Sequence, residues 1–180
     1  MNVPDPSDHL ESVGKLATAL TRLQLQPILV GGMALVVLGS RRVTRDFDFV
    51  VADPGEHLDE LVSLLYDAGL ELVSRLNADG EAKATITNSQ VASLRLRIDR
   101  PDTASFYDPD GGLRVDLLFD FPIPAAVLAK HAVRARIGTH VLHVADERDL
   151  LQLKKIAAAN RHAPGDAEDI AFLERRLDRG

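Results

Sequence analysis

Two aspartates stand one residue apart in a hydrophobic stretch, Asp46-Phe47-Asp48-Phe49. Alternate side chains of a β-strand point to opposite faces, so Asp46 and Asp48 would share one face. Neighbouring carboxylates repel each other and are costly to desolvate unless a cation lies between them. Mg²⁺ prefers such oxygen ligands and also binds substrate phosphates. Taken alone, the Asp-x-Asp pattern has a simpler explanation, in which Asp46 caps or ends a strand and Asp48 faces solvent.

A third aspartate, Asp116, interrupts the hydrophobic run of residues 113–119. If the two strands are neighbours, Asp116 can converge on Asp46 and Asp48. Three carboxylates on adjacent strands are suited to binding two metal ions that promote phosphoryl transfer. Asp120 lies beyond the hydrophobic run, and we interpret it as a strand end.

A glycine pair and a basic loop lie between the first strand and Asp46. Gly31-Gly32 follows a hydrophobic strand and precedes a hydrophobic helix. Backbone N–H groups at such a turn can bind phosphate oxygens, which approach glycine closely, although glycine pairs also occur in ordinary turns. The loop of residues 40–45 contains three arginines and Thr44. These arginines would neutralise a triphosphate or simply face solvent.

Lys154 lies in a predicted helix near the end of the chain. On a helical wheel it falls inside a hydrophobic arc that includes Leu150 and Ala157, whereas Lys155 falls outside. A lysine in this position needs an anion, either a nucleotide phosphate or a carboxylate such as Asp166. The alternative is that its side chain extends to solvent.

The elements that would position these residues form an α/β (α+β) fold, a mixed and partly antiparallel sheet flanked by helices with a C-terminal helical pair. We expect a core of residues 1–145 and a helical segment of residues 146–180 packed on it as one compact domain. Hydrophobic periodicity predicts helices over residues 8–23, 33–38, 54–68, 122–135, 146–160 and about 164–177. It predicts strands over residues 27–30, 46–52, 82–87, 93–98, 113–119 and 141–144, with a hairpin turn at 138–139.

Composition excludes several classes of protein. The chain of 180 residues is 46% hydrophobic and has no cysteine, so it can form a core but neither disulfides nor thiolate metal sites. A net charge of -6 argues against a broad surface for duplex DNA. Without a transmembrane run or a signal-peptide hydrophobic region, we expect a cytoplasmic protein with no membrane partner. The six histidines show no metal-binding spacing.

Together these features resemble the nucleotidyltransferase superfamily with a DNA-polymerase-beta-like fold. Its signature is a strand, a Gly-Gly or Gly-Ser pair, a short helix, Asp-x-Asp or Asp-x-Glu, and a later carboxylate. This chain has Gly31-Gly32, thirteen intervening residues, Asp46-Phe47-Asp48, and later Val115-Asp116-Leu117. The stretch of residues 31–51 resembles the small bacterial branch that includes abortive-infection and toxin–antitoxin nucleotidyltransferases. In that branch a helix lysine and a following aspartate recur, as Lys154 and Asp166 or Asp169 do here.

The resemblance implies metal-dependent transfer of a nucleoside monophosphate from an NTP such as ATP to an acceptor hydroxyl, with release of pyrophosphate. The acceptor would be a tRNA end, a protein or a small molecule, and a toxin-like protein could also bind a cognate antitoxin or a second copy of itself. The catalytic residues would be Asp46, Asp48, Asp116 and Lys154, with two Mg²⁺ ions bound by the three aspartates. The residues that contact the nucleotide would be Gly31, Gly32, Ser40, Arg42, Thr44 and Lys154.

The sequence departs from many relatives at Gly32, where they have a serine whose hydroxyl could contact phosphate; Ser40 is not an obvious substitute. Two other functions stay open. The fold could serve as a non-catalytic module that binds a nucleotide or a partner, or the aspartates could form a structural Ca²⁺ site.

Overall fold

A computed structural model describes residues 6–161 and 163–180. The described residues contain seven α-helices and one eight-stranded sheet. The helices are α1 (Pro6–Arg22), α2 (Gly31–Val37), α3 (Leu58–Asp67), α4 (Ser89–Asp99), α5 (Ala125–Ala129), α6 (Glu147–Asn160) and α7 (Asp166–Leu177). The strands are β1 (Ile28–Val30), β2 (Asp46–Val51), β3 (Glu71–Leu76), β4 (Ala82–Ile86), β5 (Thr103–Tyr107), β6 (Arg114–Phe119), β7 (Val133–Ile137) and β8 (His140–Val144).

The sheet is open, with the strand order β4-β3-β5-β6-β2-β1-β8-β7, and it is mixed, as the sequence predicted. The β2–β6 and β1–β8 pairs are parallel, and the other neighbouring strands are antiparallel. The central strands β6, β2 and β1 come from distant parts of the chain. Tertiary pairing therefore brings the two aspartate-bearing strands side by side.

The two faces of the sheet have different surroundings. The strand registers place Leu29, Phe49 and Val144 on one face. His140 lies on this same face, because every second residue of β8, which includes Leu142 and Val144, points to it. It packs against Gly14, so α1 lies on this side of the sheet. The helices α1, α3 and α4 contact one another in series. Asp46, Asp48 and Asp116 lie on the other face, because they alternate with fully buried neighbours such as Phe49.

The hydrophobic core lies between the sheet and its helices. Burial of its large side chains supplies the main stabilisation of such a fold, at about 25 cal/mol for each Å² of apolar surface. The amphipathic pattern of α1 and α3 buries one face of each helix in the hydrophobic core. The largest fully buried side chains include Phe47, Phe49, Phe106, Leu20, Leu61, Leu65, Leu117 and Leu128.

The strand predicted over residues 93–98 is wrong, because this stretch lies in α4. The Asn88 side chain accepts hydrogen bonds from the backbone N–H groups of Gln90 and Val91, which starts a helix rather than a strand. Ala92 and Leu96, one turn apart, are buried, whereas Leu94 is 57% and Ile98 69% exposed. The alternation of leucine and isoleucine therefore did not mark a half-buried strand. The partner of β4 is instead β3, which the hydrophobic pattern did not predict.

The helix predicted over residues 122–135 is also only partly correct. Helix α5 ends at Ala129, and Val133–Ile137 forms β7, which pairs with β8. The hairpin turn at residues 138–139 is confirmed, and Gly138 has a φ of 59° there. Strand pairing across this turn outweighs the helical periodicity that continues past Ala129. Strand β5 was not predicted either.

No helix in the described part of the chain is long and apolar enough to cross a membrane.

Candidate active site

The three aspartates of the sequence motif lie together on one face of the sheet. Strands β2 and β6 run parallel in a register that pairs Asp48 with Asp116 and Asp46 with Arg114. Paired residues of neighbouring strands point to the same face, so all three carboxylates share it. Strands β2 and β6 are therefore neighbours, which was the condition for Asp116 to converge on Asp46 and Asp48. Asp120, by contrast, accepts hydrogen bonds from the backbone N–H groups of Asp53 and Ala125, which makes it a structural strand end.

Burial and mutual repulsion dominate the electrostatics of this cluster. Burial, together with the negative charges of Asp116 and Asp46, raises the pKa of Asp48 from 3.8 to about 7. Burial also raises the pKa of Asp46, with Asp116 adding to the shift and Arg114 opposing it. A bound cation would remove this penalty, because it favours the ionised form of each carboxylate. The donor set of three carboxylates on rigid strands thus fits a hard divalent ion such as Mg²⁺.

Gly31 lies directly against Asp48. It begins α2 immediately after β1, and its φ of 68° is in the left-handed region that favours glycine. A Cβ atom at this position would lie 2.2 Å from Asp48 Oδ2, well inside contact distance. Only glycine allows this turn and this carboxylate to be neighbours. The role of Gly31 in phosphate binding stays a prediction.

The basic loop folds back onto Gly32. A Cβ atom on Gly32 would lie 2.9 Å from Arg42 Nε and 3.4 Å from Thr44 Cβ, so both predicted nucleotide contacts lie beside the glycine pair. The Arg42 guanidinium forms an ion pair with Asp169 of α7. The Ser40 hydroxyl accepts a hydrogen bond from the Arg42 backbone N–H at 3.2 Å. Ser40 therefore shapes the loop, and its roles and those of Arg42 and Thr44 towards a nucleotide stay predictions.

Lys154 is 8% exposed, and its partners are two carboxylates of α7. Its Nζ atom lies 2.8 Å from Asp169 Oδ2 and 3.6 Å from Asp166 Oδ1. Its positive charge also lowers the pKa of Asp48, partly offsetting the effect of burial there. The alternative of a side chain extended into solvent is therefore excluded. Asp169 joins Lys154 to Arg42, and through them α7 is linked to both α6 and the basic loop.

Arg114 also belongs to this cluster, although it was not among the residues predicted from the sequence. Its Nε donates a hydrogen bond to Asp116 Oδ1 at 3.0 Å, and it also contacts Ser105 of β5. The signal was present in the sequence, because Arg114 stands two residues before Asp116 and must share its face in a strand. The role of Asp169 was likewise not assigned, since only the tertiary packing of α7 shows its two cationic neighbours.

A second cluster contains a histidine. Ligand atoms of His131, Asp146 and Asp149 all lie within 4.8 Å of one another, although spacing alone gave no such group. Asp146 Oδ1 accepts a hydrogen bond from the Asp149 backbone N–H, so this aspartate caps α6. Burial raises the pKa of Asp149, with Asp146 adding to the shift and His131 opposing it. We interpret the group as a helix cap with an adjacent histidine.

The fold is that of solved nucleotidyltransferases. The antibiotic-resistance factor ANT(2'')-Ia matches with a TM-score of 0.60 and 13% identity over 96% of this chain and 86% of its own. The lincosamide antibiotic adenylyltransferase LnuA, with lincomycin bound, matches with a TM-score of 0.56 and 12% identity over 97% and 98% of the two chains. An antigenic nucleotidyltransferase-like protein from Paracoccidioides brasiliensis gives a TM-score of 0.58 and 19% identity over 92% and 75%. No curated protein matches the sequence significantly.

The family is defined by the sequence itself. Residues 16–178 match the model of the AbiEii family, described as the nucleotidyl transferase AbiEii toxin of a type IV toxin–antitoxin system. The chain therefore belongs to the AbiEii nucleotidyltransferase family. The resemblance inferred from the glycine pair and the three aspartates is confirmed at the level of the family and its fold.

Proposed function

We propose that this protein is a metal-dependent nucleotidyltransferase that moves a nucleoside monophosphate from an NTP to an acceptor hydroxyl. The observation that carries the proposal is the register of β2 and β6, which pairs Asp48 with Asp116 and puts Asp46 on the same face. Gly31 lies against Asp48 at this point, so a phosphate-binding turn would adjoin the carboxylates. Membership of the AbiEii family supports the same reaction class.

The residues around the carboxylates have complementary roles in this proposal. Divalent metal bound at Asp46 and Asp48 would neutralise the triphosphate, and Asp116 would favour activation of the acceptor oxygen. The backbone N–H groups of Gly31 and Gly32 would hold phosphate oxygens, with Thr44 and the Ser40 loop beside them. Arg42 and Lys154 would add positive charge next to the phosphates. Both side chains are already held in place by Asp169.

The transfer itself exchanges one phosphorus–oxygen bond for another. The acceptor hydroxyl oxygen forms a bond to the α-phosphorus, and the bond from that phosphorus to the oxygen bridging the β-phosphate breaks. Pyrophosphate leaves with the bonding electrons, and the hydroxyl proton passes to a base at Asp116. The contribution of the protein is mainly positioning and electrostatic stabilisation, as is usual for phosphoryl transfer.

The description of the family also supports a toxin-like role, regulated by a cognate antitoxin. A cytoplasmic location is part of the proposal. The acceptor would be a tRNA end, a protein hydroxyl or a small molecule. Small-molecule acceptors are favoured by the fold shared with an adenylyltransferase of lincosamide antibiotics. A tRNA or protein acceptor is favoured by the toxin description of the family.

The test is to incubate the protein with Mg²⁺, each α-labelled NTP in turn, and a bacterial cell extract. We expect an acceptor to become labelled, and the label to disappear with Asp46→Ala but not with Asp67→Ala at the exposed end of α3. Absence of label with every NTP would overturn the proposal. If Mg²⁺ and NTP still stabilised the unlabelled protein, that outcome would favour the non-catalytic nucleotide-binding module instead.

A further inference from the structure

Arg114 is a partly buried cation within the carboxylate cluster. It pairs with Asp46 across β2 and stands two residues before Asp116, so it shares the face of all three aspartates. Its side chain is only 18% exposed. The guanidinium donates from Nε to Asp116 Oδ1 at 3.0 Å, from Nη1 to the Gly80 carbonyl oxygen at 2.6 Å, and from Nη2 to Ser105 Oγ at 3.3 Å.

These three hydrogen bonds fix the guanidinium in one orientation. Gly80 lies in the turn between β3 and β4, and Ser105 lies on β5, so Arg114 ties this turn and β5 to Asp116. Its planar, permanently charged fork is suited to this arrangement, which a flexible lysine would not reproduce. A guanidinium is protonated at every physiological pH, so Arg114 supplies a permanent positive charge beside Asp116.

The carboxylates are consequently not equivalent. Asp116 has a guanidinium partner within hydrogen-bond distance. Within residues 6–161 and 163–180, neither Asp46 nor Asp48 forms an ion pair with a basic side chain. A divalent ion would therefore compensate more charge at Asp46 and Asp48 than at Asp116, where the protein already supplies a guanidinium.

We propose that Arg114 takes the place of a second metal ion at Asp116, so that the site binds one divalent ion, between Asp46 and Asp48. The sequence predicted two ions; the guanidinium gives a physical reason for one, because a second cation at Asp116 would have to displace or adjoin it. Arg114 acts through Asp116 and is therefore a positioning residue. This inference rests on the proposed function, since it concerns the ion that the transfer would use.

The test is the number of Mn²⁺ ions bound by the full chain, measured by electron paramagnetic resonance and by titration of free Mn²⁺ with a non-hydrolysable NTP analogue present. We expect the native protein to bind one ion and to show no spin–spin coupled pair. Arg114→Gln should admit a second ion, with its affinity raised roughly tenfold or more, because a unit charge beside the ligand is removed. Arg114→Lys keeps the charge and should keep a single ion.

The matched control is Arg134→Gln, which removes an exposed arginine from β7 of the same sheet and should leave the native stoichiometry. A coupled pair of ions in the native protein would overturn the proposal for Arg114 while leaving nucleotidyl transfer intact. An unchanged single-ion spectrum in a folded Arg114→Gln protein would also overturn it. Absence of Mn²⁺ from the native protein would overturn the proposed function itself. The native spectrum tests the proposal even if the glutamine variant fails to fold.

Discussion

Asp48 lies where the main features of the site meet. It pairs with Asp116 between β2 and β6, and its carboxylate lies where Gly31 would carry a Cβ atom. The positive charge of Lys154 lowers its pKa. Its raised pKa is the cost of gathering three carboxylates on one partly buried face. Substitutions at Asp48 and at Gly31 should therefore have separate, measurable effects.

The carboxyl group of Asp48 should make stability depend on pH when no metal is bound. Because the pKa of Asp48 in the folded protein is about 7, its contribution to stability is fully present below its ordinary pKa of 3.8 and is lost as pH rises through 7. In EDTA, we expect Asp48→Asn to stabilise the protein at pH 8 by about 2–4 kcal/mol relative to its effect at pH 4. Urea unfolding at both pH values measures this, with Asp67→Asn as an exposed control. A pH-independent effect of Asp48→Asn would contradict the prediction.

The close approach of Gly31 to Asp48 should matter for ligand binding as well as for stability. Gly31→Ala and Gly39→Ala both place alanine at a positive φ, of 68° and 98°, so each should lose roughly 1–2 kcal/mol from backbone strain. Only the Gly31 variant brings a Cβ atom to 2.2 Å from Asp48 Oδ2, whereas the Cβ at position 39 meets nothing within 4 Å. Gly31→Ala should therefore also lose stabilisation by Mg²⁺ and NTP, as measured by thermal unfolding. Equal loss in both variants would show that the carboxylate contact is irrelevant.

At the scale of elements, α6 and α7 hold the cationic side of the site. Two adjacent lysines of α6 both form ion pairs with α7, but in different surroundings. Lys154 is buried between Asp166 and Asp169, whereas Lys155 meets Glu174 at 3.2 Å on the surface, where both side chains are about half exposed. The helix pair thus contains its own comparison between a buried and an exposed ion pair.

We expect Lys154→Met to lower the free energy of unfolding by about 2–4 kcal/mol, because it leaves two buried carboxylates with less compensation. Lys155→Met should cost less than about 1 kcal/mol, since exposed ion pairs contribute little. Urea denaturation measures both, and Mg²⁺–NTP binding should be weakened only in the Lys154 variant. Similar costs for the two substitutions would mean that burial of Lys154 does not matter energetically.

At the scale of the whole molecule, the sheet order makes the site depend on the complete fold. Strands β1, β2 and β6 are central, and β2 and β6 are joined by a long stretch of chain that forms α3, β3, β4, α4 and β5. Ligand binding at these strands should therefore stabilise the chain as one cooperative unit.

The shift in thermal unfolding on ligand binding separates the catalytic interpretation from a structural calcium site. At a concentration about a hundredfold above the dissociation constant, Mg²⁺ with NTP should raise the midpoint of thermal unfolding by roughly 5–10 °C. Ca²⁺ without nucleotide should raise it much less, and Asp116→Ala should reduce the Mg²⁺–NTP effect. Differential scanning calorimetry measures these shifts. Full stabilisation by Ca²⁺ alone would instead favour the structural site.

Local signals in the sequence were sufficient to indicate the family and to predict most of the main elements. Asp46 and Asp48 had to share a face because strand side chains alternate, and Lys154 had to lie in the hydrophobic arc of α6 because helices repeat every 3.6 residues. The glycine pair, the aspartates and their order along the chain indicated the family that residues 16–178 then matched. Local periodicity failed where it was short, as at residues 93–98, because a cap at Asn88 and burial of Ala92 and Leu96 favour a helix there.

Only the tertiary structure decided which residues meet across the sheet and between helices. Strand neighbours and registers arise from long-range pairing, so the partnership of Asp48 with Asp116 was conditional until β2 and β6 were seen side by side. The same holds for Asp169, which joins Lys154 to Arg42 through the packing of α7. It holds above all for Arg114. Its position two residues before Asp116 placed it on the face of the aspartates. Its hydrogen bonds, however, depend on how β5, β6 and the β3–β4 turn pack together.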